Sequence, residues 1–213
     1  MATAARSAIP RDQDGVFAWD PSWDRAREFP IRIPCSEEEY LGIDTNLLLE
    51  FADGFLEVLP MPTIFHQLIL GFLYLQLHAF ATARALGTVV TAGYRVRVDP
   101  GRYREPDILF IGREHSNGIG KNYCQKVDLA MEIVSEFNRR HDLVTKRNEY
   151  ARAGIREYWI IDPEEETITV FVLGPRGRTY DEPLAFRRGD RAASMLLPGF
   201  GVEVSETLDQ KPL

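Results

Sequence analysis

Cysteine is scarce. The 213 residues hold two, Cys35 and Cys124, far apart and without CxxC or His spacing. That excludes a disulfide scaffold, offers no zinc motif, and predicts two reduced structural thiols. No uninterrupted apolar run reaches the ~20 residues of a membrane-spanning helix. The opening MATAARSAIPRDQDG has no apolar core of the signal-peptide kind, so the expected location is the cytoplasm, with no membrane partner. Positive charge is also short, 25 Lys and Arg against 32 Asp and Glu, for a formal net charge of -7. That balance argues mildly against a surface that grips nucleic acid everywhere and does not exclude a local basic face. No internal repeat is found. GIGKN lacks the GxxxxGK[ST] spacing and the strand-to-helix setting of a phosphate loop, which excludes that motif.

The length suits one domain with some decoration. Residues 1–35 read as an irregular leader interrupted by Pro10, Pro21, Pro30 and Pro34, residues 36–205 as the domain, and residues 206–213 as a tail. Ser36 with Glu39 three residues on is a capping-box pattern that starts a short helix. Leu47–Phe51 and Phe55–Leu59 flank Asp53-Gly54, a hairpin signal. From Ile64 to about Leu86 the apolar residues take helical spacing, with Gly87 as the stop. Thr88–Val98 reads as one strand, EPDILFI as the next, and Leu129–Ser135 as a central strand. RRHDLVTKRNEYARAG reads as a helix closed by Gly154, and EYWIID pairs with TITVFVL as a hairpin. The fold class is α/β (α+β): a mixed β-sheet core flanked by helices, with an N-terminal hairpin extension.

The chemistry concentrates between Glu105 and Asp162. Asp107 opens one apolar strand. Glu132 sits inside another, LAMEIVS, where an unpaired carboxylate is costly and calls for a metal, an arginine or a proton. Lys146 rides on the helix that follows, on one stripe with Asp142 and Tyr150. If the two strands are neighbours, Asp107 and Glu132 can share one hard cation, with the Ile133 carbonyl as a further oxygen. Lys146 would then orient a water or offset transition-state charge. From Arg139 to Arg156 six basic residues stand against two acidic ones. Arg139 and Arg140, at the helix start, would meet a phosphate backbone, and His66, in the first turn of the long helix, could reach a phosphate. His78, mid-helix, has no assigned role. Each residue also has a plain structural reading: Asp107 as a turn former, Glu132 paired with an arginine, Lys146 as a surface partner of Asp142. Glu50 and Glu57 are expected on the open face of the hairpin, Glu57 in reserve as a ligand.

EPDILFI, LAMEIVS, RRHDLVTKRNEYARAGIREYWIID and LPGF together resemble the Uma-type restriction endonuclease family, a branch of the PD-(D/E)xK nuclease superfamily. The resemblance spans about Glu37 to Val204, and Asp142 to Asp162 is its most specific part. It implies a divalent-metal nuclease fold with a four-stranded mixed core flanked by helices. Asp107 matches the Asp of PD and Glu132 the acidic residue of (D/E)xK. Val134 stands where the lysine would follow, and Lys146 on the next helix is the matching position. Ser135 matches the family's serine, here followed by Glu136 rather than proline. The expectation is a Mg²⁺- or Mn²⁺-dependent endonuclease acting on DNA as a homodimer, with catalytic Asp107, Glu132 and Lys146. Its metal ligands would be Asp107, Glu132 and Ile133, and its substrate contacts His66, Ser135, Arg139 and Arg140. The alternatives are a catalytically silent nuclease fold that binds nucleic acid or protein, and a nuclease acting on RNA.

Overall fold

The computed structural model describes residues 31–212 except 46, 136–138 and 140. In order, the elements are β1 (Ile31–Pro34), α1 (Glu37–Gly42), β2 (Leu49–Ala52), β3 (Phe55–Val58), α2 (Ile64–Ala83), β4 (Gly87–Thr91), β5 (Arg95–Asp99), β6 (Arg102–Arg104), β7 (Ile108–Gly112), β8 (Tyr123–Cys124), β9 (Leu129–Ile133), α3 (Arg147–Ala153), β10 (Glu157–Asp162), β11 (Thr167–Val172), β12 (Leu184–Arg187), β13 (Arg191–Ala193), β14 (Gly201–Glu203) and α4 (Val204–Leu208). A 3₁₀ turn spans Arg113–Gly118, and a π-helical turn, His141–Lys146, leads straight into α3.

The central sheet has the order β12-β11-β10-β9-β7-β4. It is mixed: β9 and β10 run parallel, and the other neighbours antiparallel. Strand alternation gives it two apolar faces. Ile108, Phe110, Leu129, Met131 and Ile133 pack on Ile69, Leu73 and Leu77 of α2. Leu109, Ile111 and Ala130 point the other way, toward Tyr150 of α3 and Val96 of β5. By the same period of two, Asp107 and Glu132 fall on the α3 side.

A second six-stranded sheet, β1-β3-β2-β6-β5-β8, carries the hairpin extension. Its turn works as the residues predict: Asp53 and Gly54 both take positive φ, 54° and 81°, which matches the right-handed twist of a tight hairpin. The capping box forms, with the Ser36 hydroxyl accepting from the Glu39 N–H and the Ser36 N–H donating to the Glu39 carboxylate.

Several boundaries move. The stretch expected as one strand, Thr88–Val98, is two, and they belong to different sheets. A turn at Ala92–Tyr94, with Gly93 at φ 94°, carries the chain from one sheet to the other. The expected leader falls outside the described residues up to residue 30, while Ile31–Pro34 is a strand paired with β3. The expected tail overlaps α4, whose Val204 is buried in the core. By length and hydropathy alone α2 meets the test for a membrane span. Here it is the helix on which one face of the central sheet is built, with Ile69, Leu73, Leu77 and Ala81 buried.

Candidate active site

β7 and β9 are antiparallel neighbours with Ile108 opposite Met131. Stepping one residue outward puts Asp107 opposite Glu132, at the strand end that faces the start of α2. The next helical unit then delivers Lys146. Its ammonium lies 3.0 Å from Glu132 Oε1, 3.1 Å from Glu50 Oε1 and 3.3 Å from Asp142 Oδ1. All four side chains are almost wholly buried. The three residues expected to converge therefore share one cavity of about 300 Å³, which Glu105, Asp142, His66, Ile133 and Ser135 also line.

The hydrogen bonds are asymmetric. Asp107 Oδ2 accepts from the Ile133 N–H at 2.8 Å and lies 3.1 Å from His66 Nε2. Glu132 Oε1 accepts from Lys146 Nζ at 3.0 Å and from the Tyr150 hydroxyl at 2.6 Å. Each carboxylate thus has one oxygen held by the protein's own donors. The second oxygens, Asp107 Oδ1 and Glu132 Oε2, have no such side-chain or backbone donor among these bonds. Asp142 Oδ1 is near enough to Lys146 for charge attraction but is not aligned as a hydrogen bond, and it is buried without a partner, as is His66 Nδ1.

Electrostatics follow from this crowding. Burial pushes the Glu132 carboxyl well above its usual range, and Asp107 and Asp142 push it further against the pull of Lys146. Burial also raises Asp142, and it raises Glu105 to about 7. For Lys146 burial favours the neutral amine, but Glu132, Glu50 and Asp142 override it and hold the proton. His66 is likewise raised: burial opposes the charge and Asp107 favours it more. Among the described residues, four carboxylates line the cavity with one Lys and no Arg. Such a wall is short of positive charge, and buried anions need a counter-charge.

Among the described residues, two other groups of metal-type side chains have donor atoms within 4.8 Å of one another: Glu50–Glu57–His141 and Glu114–His115–Asp128. The first already holds a cation. Arg104 Nη1 lies 2.9 Å from Glu50 and 2.7 Å from Glu57, and Arg104 Nε 2.7 Å from Glu149. In the second, Asp128 accepts from the Gly112 N–H at 2.7 Å and from His115, and Arg156 lies beside both Asp128 and Glu114.

Some expected site residues stand elsewhere. Glu50 and Glu57 are not on an open face: both are buried, and Glu50 reaches Lys146. The hairpin sheet closes over them, so Glu57 is occupied by Arg104 and by Arg32 rather than held in reserve. Arg139 does not line the cavity; Asp162, Glu164 and Glu165 hold its guanidinium. Arg140 lies outside the described residues. His66 does face the cavity, but its Nε2 is spent on Asp107. Lys146 is no surface residue. Sequence reasoning missed Glu50 and Tyr150 as parts of the site. Glu50 had a signal, since a glutamate in the apolar run LLLEF raises the same question as Glu132 in LAMEIVS.

No curated protein matches the chain. A solved structure described as "a putative nuclease belonging to DUF820", from Anabaena variabilis ATCC 29413, shares the fold with a TM-score of 0.70 at 18% identity, covering 83% of this chain and 99% of that one. The family model described as "Putative restriction endonuclease" matches residues 37–205, which include Asp107, Glu132 and Lys146. The chain belongs to that family, Uma2.

Proposed function

We propose that this chain is a divalent-metal-dependent nuclease that hydrolyses DNA phosphodiester bonds. The observation that carries the reading is the convergence of Asp107, Glu132 and Lys146 in one cavity whose described residues hold more carboxylates than positive charges. Asp107 and Glu132 each keep one oxygen free of the donors described above, and both oxygens belong to facing residues of paired strands. Mg²⁺ is usually held by one or two carboxylates and keeps several waters, so two carboxylates suffice where a three-ligand cage would not be required. The Ile133 N–H bonds to Asp107, and in a strand the N–H and C=O of one residue leave on the same edge. The Ile133 carbonyl therefore faces that side as well, as a third oxygen.

The bound ion, Mg²⁺ or Mn²⁺, would supply an activated water and offset charge on the phosphorus. The chain's residues do the rest. Lys146, held protonated by its carboxylate neighbours, presents a fixed positive charge beside the reacting phosphate. Tyr150 and Lys146 both clamp Glu132 Oε1, which fixes the direction of Oε2. The Ile133 N–H and His66 do the same for Asp107. Ser135 lines the same cavity and would donate to a phosphate oxygen.

Incubating the protein with DNA and Mn²⁺, as heat-denatured single strands and as plasmid duplex, beside Lys146→Ala, tests the activity, and cleavage of either form counts. Cleavage by the parent chain and its loss in the variant is the expected result. Calorimetric Mn²⁺ titration tests the centre: binding that survives both Asp107→Ala and Glu132→Ala would leave a silent nuclease fold as the better reading.

A further inference from the structure

The cavity that holds the carboxylates has a second wall of different chemistry. Its floor is charged, but its rim is apolar. Leu59-Pro60-Met61-Pro62 leaves β3 along one side, and Phe65 stands in the first turn of α2; all of them line the cavity. Met61 is 92% exposed and Phe65 57%, with Ile64 beside them at 58%. Large apolar side chains left in water within five residues of one another, at the edge of a charged site, mark an interaction surface rather than a packing defect. The rim is also stiff. Pro60 and Pro62 each lock their own φ, and Pro62 confines Met61 to extended backbone. A stiff rim loses little freedom when something settles on it.

The rim offers stacking surface, and that says what the something is. A duplex gripped by its phosphates needs free Lys or Arg around the reacting phosphate. Among the described residues lining this cavity, Lys146 is the only Lys or Arg. Its ammonium is already shared by Glu50, Glu132 and Asp142. Arg139, nearby in sequence, is committed to Asp162, Glu164 and Glu165. A single strand calls on such charge as well, but its unpaired bases add a second hold that a duplex does not offer, by stacking on exposed apolar and aromatic side chains. The cavity volume, about 300 Å³, lies at the lower end for small-molecule pockets, enough for one nucleotide's base and phosphate.

We infer that the site takes an unpaired nucleotide of a single-stranded nucleic acid, the base lying on Phe65 and Met61 while its phosphate reaches the floor at Asp107 and Glu132. The inference rests on the nuclease reading and deepens it: the substrate class is a single strand rather than an intact duplex.

The test is fluorescence anisotropy with a labelled DNA strand of about 15 nucleotides, within the range one single-strand site occupies, and with the same strand annealed to its complement. Ca²⁺ replaces Mn²⁺ so that binding is read without cleavage. Single-strand affinity at least roughly ten-fold above duplex affinity is expected. Phe65→Ala should weaken the single strand by roughly ten-fold, the loss of one stacked base, and leave duplex binding unchanged. Met61→Ser should act in the same direction. Both side chains are exposed, so an unchanged melting temperature verifies that the variants fold. Equal or tighter duplex binding overturns the inference. So does a Phe65→Ala variant with unaltered single-strand affinity. If that variant changes only the sedimentation behaviour, the rim belongs to a second copy of the chain and the inference is again overturned. Mn²⁺ calorimetry on the parent protein separates the two levels. Metal binding without strand preference removes the substrate class alone, while absence of metal binding removes the nuclease reading and this inference with it.

Discussion

The two ends of the β7–β9 pair carry similar side chains and behave differently. At one end stand Glu114, His115, Asp128 and Arg156; at the other, Asp107, Glu132, Asp142 and Lys146. By proximity the first looks the better metal site, since its three donor atoms lie within 4.8 Å of one another. Yet Asp128 is satisfied by the Gly112 N–H, by His115 and by Arg156, and Arg156 also reaches Glu114. Among the described residues, the second end has buried polar atoms left without partners and more carboxylates than cations. Compactness alone does not identify a site. Unbalanced charge that the fold keeps buried at an opening is the stronger argument for one, because it is costly unless a ligand offsets it.

The comparison breaks most sharply on metal binding. Asp107→Ala or Glu132→Ala should abolish Mn²⁺ binding in a calorimetric titration, whereas His115→Ala should leave the isotherm unchanged. Binding that follows His115 instead would transfer the centre to the other end of the pair. Next in size is Lys146→Ala. Removing the ammonium that Glu50, Glu132 and Asp142 share leaves buried charge uncompensated, a cost of about 3–5 kcal/mol in urea unfolding. Added Mn²⁺ should restore part of that loss. Arg156→Ala, at the half-exposed end, should cost at most about 1 kcal/mol in the same assay, with no recovery by metal. A loss as large as that of Lys146→Ala would mean the two ends are equally strained.

Tyr150→Phe sharpens the contrast further. The hydroxyl is lost from Glu132 Oε1 while the ring stays in the core, so Mn²⁺ affinity should fall roughly 10- to 100-fold, as for other partners that orient a ligand. Unchanged affinity would show that Lys146 alone orients Glu132.

The smallest effect is on acid stability. Burial opposes ionisation of Glu50, but Lys146 and Arg104 outweigh it and hold its carboxyl well below the ordinary 4.5. As pH falls below about 4.5 the unfolded chain takes up this proton before the folded one does, so the stabilisation present above that pH is lost on the acid side. Glu50→Gln should flatten the acid limb of a stability–pH curve, even if it lowers stability at neutral pH. An acid limb unchanged in slope would mean Glu50 is not held ionised.

Much of this was legible in the chain. Short apolar runs bounded by charge gave the central strands, Asp53-Gly54 gave the hairpin, and Gly154, at φ 81°, closes α3 as its position implied. These features depend on neighbours a few residues away. The split of Thr88–Val98 between two sheets did not show, because both halves are equally strand-like and only their partners differ. The same limit hid Glu50. Its run is as apolar as that of Glu132, but whether a hairpin face is open or covered depends on what packs over it.

By itself the sequence determined that Glu132 must be buried and must have a partner, since a carboxylate within an apolar strand has no cheaper alternative. It also determined that Asp142, Lys146 and Tyr150 share a side of their helical unit, which is local geometry. Only the tertiary structure decided that β7 lies beside β9, that Glu50 comes from a second sheet to hold Lys146, and that Arg139 is drawn off by Asp162. Those pairings join residues far apart in the chain, and no local pattern encodes which of several compatible charges will meet. The fold makes that choice by which surfaces it closes.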